Sequence, residues 1–443
     1  MRNGMTDRGT VLIFVLWIAL GLTGVALYFG HTMTLDYRAA ENSLAGQESR
    51  HAIQSAQRYV TSALSMLDEA GTFPDEETSL FENVQVGPGR YWLIGRSEEG
   101  LESETLTFGL VDEASRLHLN VATREMLEML PGMTTDIAAA IIDWRDEDTE
   151  LSPDGAESEH YLMLDTPYIC KDGAFESVEE LRLVAEMDLS ILYGEDVNRN
   201  GALDPNEDDA DESEPADNKD GALNPGLVEY LTVYSREPNT TPEGEERINI
   251  NEASEKELRD IFNETFGNQR ANEISASLEQ HRGNYWSTIE FVFWAGLTND
   301  EFQEIADYLT VHEGDYVYGL VNVNTASKEV LECIPGIGEE YANSIVAYRE
   351  QNPDDLDSIV WITNVLDEES AIEAGRYITT KSYQFSVDIA AVGQDGRGFR
   401  RTLMMIDTAD GDPVTLFSRD LSALGWPLGS ALREEIASEK NEG

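Results

Sequence analysis

Residues 8–29 read RGTVLIFVLWIALGLTGVALYF, and this apolar stretch decides how the rest of the chain is organised. No Asp, Glu, Lys or Arg occurs from Val11 until Asp36, so the run is long enough to cross a bilayer as one helix. Arg2 and Arg8 precede the run, and positive charge on the short side favours a cytoplasmic N-terminus. The sequence therefore predicts one membrane-spanning helix followed by an exported body.

The helical pattern continues beyond the apolar run to about Leu67. Apolar residues recur on one helical face at Ile53, Ala56, Val60, Ala63, Leu64 and Leu67. Gly71 and Pro74 then end the pattern. We expect one long helix whose second half packs against a folded body.

Composition narrows the class of protein. The 443 residues carry 30 basic and 86 acidic side chains, a net charge of −56, and their length predicts two or three folded units. So large an acidic excess argues against binding nucleic acid, which requires clustered Lys and Arg on phosphates. It suits an exported, soluble body, a halophilic setting or a binder of divalent cations. Cys170 and Cys333 are compatible with a disulfide or with two separate buried thiols.

Two regions read as β-strands. Residues 84–120 contain VGPGRYWLIGRS and ETLTFGLVDEASRLHLN, and residues 383–419 contain YQFSVDIAAV, FRRTLMMIDTA and DPVTLFSRD. We expect the late strands to join the early ones in a single sheet, which makes the middle of the chain an insertion. The tail from Leu421 is expected to be loosely ordered.

Between the strands, one supersecondary unit occurs three times. Each copy begins with a short strand, an Asn-rich turn and a Ser or Thr that can cap a helix, at residues 117–130, 248–258 and 321–334. A second helix then ends at Arg145, Arg282 or Arg349. A further helical segment follows at 175–184, 285–297 or 356–366, and each copy closes on YLTVYS, YLTVHE or YITTKS.

The third copy carries a helix-hairpin-helix turn, IPGIGEE at 334–340. Two glycines permit a tight turn whose N–H groups can hold phosphate. Glu339 and Glu340 stand where a DNA-binding hairpin would offer Lys or Arg, so we interpret the hairpins as packing or protein-binding units.

Residues 196–207, DVNRNGALDPNE, follow the ligand spacing of an EF-hand calcium loop, with Gly201 at the sharp turn. The predicted ligands are Asp196, Asn198, Asn200, the Ala202 carbonyl, Asp204 and Glu207. The alternative is an acidic, solvated turn. We expect a structural Ca²⁺ that orders the loop between repeat units.

Two further acidic groups are weaker candidates. Residues 216–227 repeat part of the calcium pattern at Asp217, Asn218, Asp220, Ala222 and Asn224, but Ala216 and Leu227 occupy the first and last ligand positions. A third group, Asp143, Asp146, Asp148 and Glu157, could form a site, but a solvated helix end is the favoured interpretation.

The N-terminus resembles that of a type IV prepilin: a basic head, Gly9 before an apolar helix and an amphipathic extension. The resemblance implies that prepilin peptidase cleaves after Gly9, leaving Thr10 as an N-methylated first residue. Phe14 stands at the fifth mature position, where ordinary pilins carry a Glu that pairs with a neighbouring subunit's terminal amine. A plain signal anchor is the alternative.

A prepilin without that carboxylate is similar to the minor pseudopilins of the general secretion pathway protein K (GspK) family of type II secretion. The hairpins, DWRDED (143–148) and GAESEHY (155–161) extend the resemblance over most of the chain. It implies an α+β, type IV pilin-like fold: a long N-terminal helix on a small antiparallel sheet, with a large α-helical insertion of helix-hairpin-helix repeats. It also implies structural Ca²⁺ and no catalysis.

The implied setting is the inner membrane, with the C-terminal body in the periplasm. The implied partners are the prepilin peptidase, the major pseudopilin and other minor pseudopilins, with which the chain would cap the pseudopilus tip or initiate its assembly. The expected units are a leader (1–9), the N-terminal helix (10–70), the two parts of the sheet (71–120 and 381–420), the helical insertion (121–380) and a tail (421–443).

Two other functions are weighed against this one. A membrane-anchored helix-hairpin-helix receptor for incoming DNA, of the competence type, would need a basic surface at 334–340, where the sequence has acids. A calcium-dependent enzyme would need a nucleophile or an acid–base pair, and the sequence contains no HExxH, no CxxC and no Gly-rich nucleotide motif.

Overall fold

The structure is a computed structural model that describes residues 7–67, 69–74, 80–96, 106–210, 212–213, 215, 217–280, 283–429, 432 and 436. Several sequence predictions fall partly outside these residues: positions 1–6 of the leader, Ala216 of the second acidic loop, Arg282 and most of the tail. The α-helices are α1 Asp7–Ser65, α2 Arg124–Glu128, α3 Thr135–Arg145, α4 Ser158–Tyr161, α5 Leu189–Tyr193, α6 Glu255–Leu278, α7 Thr288–Ala295, α8 Asn299–Gln303, α9 Lys328–Glu332, α10 Gly338–Gln351 and α11 Glu368–Ala374.

The strands are short in the middle of the chain and longer near its end. They are β1 Val84–Val86, β2 Gly89–Ile94, β3 Val111–Asp112, β4 Leu117–His118, β5 Leu231–Thr232, β6 Arg236–Pro238, β7 Ile248–Asn249, β8 Leu309–Thr310, β9 Tyr316–Tyr318, β10 Val321–Asn322, β11 Ile378–Thr379, β12 Gln384–Val392, β13 Arg400–Asp407 and β14 Val414–Asp420. The 3₁₀ helices are Glu113–Ser115, Val178–Leu183, Leu227–Glu229, Ala306–Tyr308, Pro353–Asp355, Ile359–Asn364, Gln394–Gly396 and Ser422–Leu424.

Helix α1 spans 59 residues and divides into two parts. Its first part is exposed along every face, and the span that is apolar enough to cross a membrane is 0% buried. The second part lays Ile53, Ala56, Val60 and Leu64 on the sheet, where they pack against Leu93, Phe385, Val387 and Ile389. The predicted helical face is therefore the face that enters the core.

The sheet joins the two ends of the chain. Its strand order is β1-β2-β12-β13-β14, all antiparallel, and β3 also pairs with β12. Asp112 lies opposite Phe385, so the chain leaves the sheet and returns to it at neighbouring positions. The prediction that the late strands join the early ones is confirmed.

The predicted strand at 104–120 is largely wrong. Within its described part, only the two-residue strands β3 and β4 form, because the Asp112 carboxylate caps a 3₁₀ turn by accepting from the Ala114 N–H at 2.8 Å. That turn redirects the chain into the first repeat.

The loosely ordered tail is also wrong for the described residues beyond Leu421. Leu428 and Ile436 are buried against Trp92 and Ile94 on the sheet face opposite α1. Trp426 meets Trp92 edge-to-face at 5.9 Å. Every residue of β12 is buried, so this central strand is covered on both faces of the sheet.

The three repeats fold alike. In each copy the first strand pairs in parallel with the closing strand: Leu117 lies opposite Leu231, Ile248 opposite Leu309 and Val321 opposite Ile378. The predicted caps form as well, since Thr123, Ser254 and Ser327 each accept from a first-turn N–H of the helix that follows.

The Asn and Arg residues of the repeat hold these turns together. Asn120 bonds both the N–H and the carbonyl of Phe175, and Asn251 does the same with Tyr285. Arg145 donates to the Leu119 and Ala122 carbonyls, and Arg349 donates to the equivalent Val323 and Ala326 carbonyls. A large charged side chain thus closes the same turn in two copies.

The copies differ in their helices. The further helical segment is an α-helix only in the second copy, and in the first and third it is a 3₁₀ helix. The second copy's hairpin is drawn into α6, which is broken at Gly267 (φ 80°, ψ 165°). The first and third copies share one hydrophobic core, whereas the second builds its own around Phe262, Ile274 and Phe291.

Candidate calcium loop and assembly surface

The apolar part of α1 is exposed and does not pack into the core of the described structure. Phe14 is 65% exposed, and the bulky apolar side chains that follow it are exposed by similar fractions. Gly9 and Thr10 lie in the first turns of the helix, with their side-chain surroundings outside the described part. A helix of this kind is stable only in a membrane or against other apolar helices.

The predicted calcium loop wraps around three buried polar side chains. Asp196, Asn200 and Glu207 are each no more than 3% exposed. The Asp196 carboxylate accepts from the N–H groups of Asn200 (3.0 Å) and Gly201 (2.9 Å). Gly201 has a φ of +71°, and an added Cβ would come 2.9 Å from the Arg96 side chain, so glycine suits this turn on two counts.

The remaining predicted ligands complete the same turn. Asn198 Oδ1 accepts from the Asn200 N–H (3.0 Å), and Asn200 Oδ1 accepts from the Ala202 N–H (2.9 Å). Both Asn side-chain amides donate to Asp204 Oδ2, at 2.6 and 3.1 Å. The structure therefore gathers the predicted side chains into one loop.

Electrostatics in this loop favour a bound cation. Burial, with the charges of Asp196 and Asp204 adding to it, raises the pKa of Glu207 to about 8. Burial also raises the pKa of Asp196, although the charge of Arg96 opposes that shift. Buried carboxylates that repel one another resist ionising together, and a divalent cation between them stabilises their ionised forms. Hard oxygen donors of this set fit Ca²⁺.

The loop is closed on itself rather than opened around an ion. Glu207 accepts from the N–H groups of Val197 (3.2 Å) and Asp204 (3.0 Å). Asp196, Asp204 and Glu207 are not among the described groups of three acids whose ligand atoms lie within 4.8 Å of one another. Binding would thus require these side chains to exchange loop N–H groups for the ion.

The second acidic loop is different because most of its polar side chains face solvent. Asn218, Asp220 and Asn224 are exposed, and Asn218 donates to Asp220 at 2.8 Å. Asp217 accepts from the N–H groups of Asp209, Ala210 and Lys219. The Ala222 N–H bonds Asp220 Oδ1 at 2.9 Å. This loop resembles an Asx-rich turn more than a closed ligand cage.

A buried arginine, which the sequence does not mark out, fastens the first loop to the sheet. Arg401 on β13 is fully buried and donates to both carboxylate oxygens of Asp388 on β12, with Nε–Oδ distances of 2.9 and 3.1 Å. Its other nitrogens donate to the carbonyls of Asn198 and Arg199. The loop at 196–207 is therefore also one of the contacts that join the helical insertion to the sheet.

The hairpin turn at 334–340 packs against its own domain. Gly336 has a φ of +85°, and an added Cβ would lie 2.4 Å from the Ser370 carbonyl in α11. Ile334 and Ile337 are buried, whereas Glu339 and Glu340 are exposed. Exposed acids repel phosphate, so this geometry serves packing. Cys170 and Cys333 are both free and buried.

A long apolar helix on a small antiparallel sheet, with a hairpin-rich insertion between its strands, defines the class of type IV pilin-like subunits. Residues 114–193 match the family model of type II secretion system (T2SS), protein K. Over this stretch the chain is similar to protein K of that system. This match agrees with the predicted family, and the long helix on the antiparallel sheet confirms the predicted fold class.

A motif model and a solved structure are also similar to this chain. Residues 318–354 match the model of the helix-hairpin-helix motif, which covers the first strand and the first two helices of the third repeat. A chain of the GspK–GspI–GspJ complex from the enterotoxigenic Escherichia coli Type 2 Secretion System is similar at 10% identity and a TM-score of 0.39, covering 88% of this chain and 98% of that one. No curated protein matches the chain.

Proposed function

We propose that this chain is a minor pseudopilin at the tip of the pseudopilus, where it caps the filament or initiates its assembly for protein export. The observation that supports this proposal most is the pairing of a fully exposed apolar half-helix with a bulky insertion on the sheet. The helix can pack against equivalent helices of other subunits, while the insertion would clash if it were repeated along a filament shaft.

Phe14 supports the same position. A phenyl ring cannot form the ion pair that a Glu at this place makes with a neighbouring subunit's amine. A subunit without that carboxylate cannot form this ion pair with a subunit added above it. This property suits a position at the tip of the filament. Before assembly the apolar helix would hold the chain in the inner membrane, with the folded body in the periplasm. Its partners would be the prepilin peptidase, the major pseudopilin and other minor pseudopilins.

We also propose that Ca²⁺ binds at 196–207 through Asp196, Asn198, Asn200, the Ala202 carbonyl, Asp204 and Glu207. The bound ion would supply positive charge to buried carboxylates and no chemistry. Because Arg401 bonds the carbonyls of Asn198 and Arg199, ordering this loop would fix the insertion on the sheet. The second loop, with Asp217, Asn218, Asp220, Ala222 and Asn224, stays a prediction of a weaker site.

The assembly role predicts that the identity of the apolar helix matters, and not only its hydrophobicity. Replacing residues 10–34 with an unrelated membrane-spanning helix should abolish export of a secreted reporter by cells that depend on this chain. Phe14→Glu should change export only mildly, because the many other exposed apolar side chains of the helix still provide packing surface. The control is Phe14→Leu, which should export normally. Normal export with the unrelated helix would contradict the proposal.

A further inference from the structure

Four acidic side chains from three segments converge beside the first hairpin, and we call them the hairpin carboxylates: Asp143, Asp146, Glu157 and Asp172. Ligand atoms of Asp146, Asp148 and Glu157 lie within 4.8 Å of one another, and so do those of Glu157, Cys170 and Asp172. Glu157 thus links both groups. The sequence-based interpretation of a solvated helix end is wrong, because Asp143 is 0% and Glu157 only 6% exposed.

Each hairpin carboxylate has an oxygen with no partner. Asp143 Oδ1, Asp146 Oδ1, Glu157 Oε1 and Asp172 Oδ1 are buried and accept no hydrogen bond from the described residues. Buried carboxylate oxygens nearly always have a donor or an ion, so four orphans in one place are unusual. Their shared requirement is a positive group between them.

The nearest cations in sequence do not meet that requirement. Arg145 turns away to bond the Leu119 and Ala122 carbonyls, and Lys171 pairs with Glu180 at 2.8 Å. Among the described residues, the ion pairs include none of the hairpin carboxylates. Burial, and then the charges of neighbouring acids, raise the pKa of both Asp146 and Glu157.

The surrounding backbone is shaped to enclose Asp143. A Cβ at Gly155 would lie 2.1 Å from Asp143 Oδ2, so only glycine permits this approach. The Ser152 N–H donates to the same oxygen at 3.3 Å, which leaves Oδ1 facing inward without a donor. The loop 146–157 therefore closes over Asp143 rather than exposing it to water.

We propose that the hairpin carboxylates bind a hard divalent cation, Ca²⁺ or Mg²⁺, at a site separate from the loop at 196–207. The ion would join the end of α3, the N-terminus of α4 and the segment around Asp172. It would thereby fix the part of the chain that connects α3 to the further helical segment at 175–184. Carboxylate oxygens suit both ions, and their number and flexibility decide between them.

Soft metals are disfavoured here. Cys170 is buried and its thiol lies 3.7 Å from the Asp143 carbonyl. The buried atoms that lack partners in this cluster are all carboxylate oxygens, which are hard donors and suit Ca²⁺ and Mg²⁺ better than metals that prefer thiolates.

The test is to count bound ions on the full-length chain in detergent, by equilibrium dialysis against Ca²⁺, Mg²⁺ or Zn²⁺ in separate experiments. Glu157→Gln and Asp146→Asn should each lose one Ca²⁺ or Mg²⁺ relative to the unaltered chain. Glu159→Gln, an exposed acid two residues away, is the matched control and should lose none. Glu207→Gln should lose a different ion, so that Glu157→Gln/Glu207→Gln loses two.

A melting experiment separates this site from a purely structural role. In chelator, Glu157→Gln should melt at or above the unaltered chain, because one of several like charges is gone; with the cation present it should melt at least about 2 °C lower. An unchanged ion count in Glu157→Gln, an equal loss of melting temperature with and without the cation, or binding of Zn²⁺ alone that disappears in Cys170→Ser would each overturn the proposal.

Discussion

Replacing Arg401 with methionine should lower the free energy of unfolding by about 3–5 kcal/mol, because removing one partner of a buried ion pair leaves the other charged and unpaired. Asp388 is 6% exposed and would lose every guanidinium bond it accepts. The Asn198 and Arg199 carbonyls would lose their donors as well. Chemical denaturation of the chain in detergent, followed by circular dichroism, measures the change.

The control for Arg401 is a salt bridge of the same chemistry on the surface. Arg419 meets Glu179 at 2.5 Å, but the two side chains are 42% and 27% exposed. Arg419→Met should therefore cost less than about 1 kcal/mol. Adding Asp388→Leu to Arg401→Met should recover much of the loss, since an apolar pair replaces the lone charge. Equal costs for Arg401→Met and Arg419→Met would refute the view that Arg401 joins the insertion to the sheet.

Glu207→Gln should weaken Ca²⁺ binding at 196–207 by at least about 100-fold. Loss of a residue that only supports a metal ligand typically lowers metal affinity about 10–100-fold. Glu207 is predicted to be a ligand itself, charged and bidentate, so its loss should have at least the upper effect. Isothermal titration calorimetry of the chain in detergent measures the affinity. At a Ca²⁺ concentration 100 times the dissociation constant, the unaltered chain should gain about 2.7 kcal/mol of stability that Glu207→Gln lacks.

Glu212→Gln is the matched control for Glu207. Glu212 is an exposed acid in the same region of the chain, five residues beyond the predicted ligands. Its loss removes the same charge and should change the affinity by no more than a few-fold, because exposed charges are screened. If Glu212→Gln and Glu207→Gln weakened binding equally, the loop would be attracting Ca²⁺ by net charge alone, and the proposed ligand set would be wrong.

The repeat was the part of the fold that the sequence predicted best. Its strands, caps and second helices recur with the same residue types. The Asn and Arg residues that recur at equivalent positions in the sequence form the hydrogen bonds that close the turns. A pattern that occurs three times is recognisable even where one copy departs from it. The 3₁₀ character of Val178–Leu183 and Ile359–Asn364 was not predictable, because tertiary packing decides how tightly a short apolar helix winds.

The sites were harder to predict. The loop at 196–207 carries its candidate ligands in one contiguous stretch, so spacing alone indicated it. The hairpin carboxylates come from three separate segments, and in a chain with 86 acids no spacing distinguishes them from solvated ones. Arg401 was missed for a related reason: in sequence it is one of two adjacent arginines on a strand, and only the register opposite β12 places it beside Asp388.

The mature N-terminus of the membrane-extracted protein tests the pseudopilin account most directly. Intact mass and peptide mapping, on chain produced in cells with and without prepilin peptidase, would give the first residue. We expect an N-methylated Thr10 when the peptidase is present and an uncleaved N-terminus when it is absent. An uncleaved chain in both would contradict the account, since the helix would then be a plain signal anchor that never enters a filament.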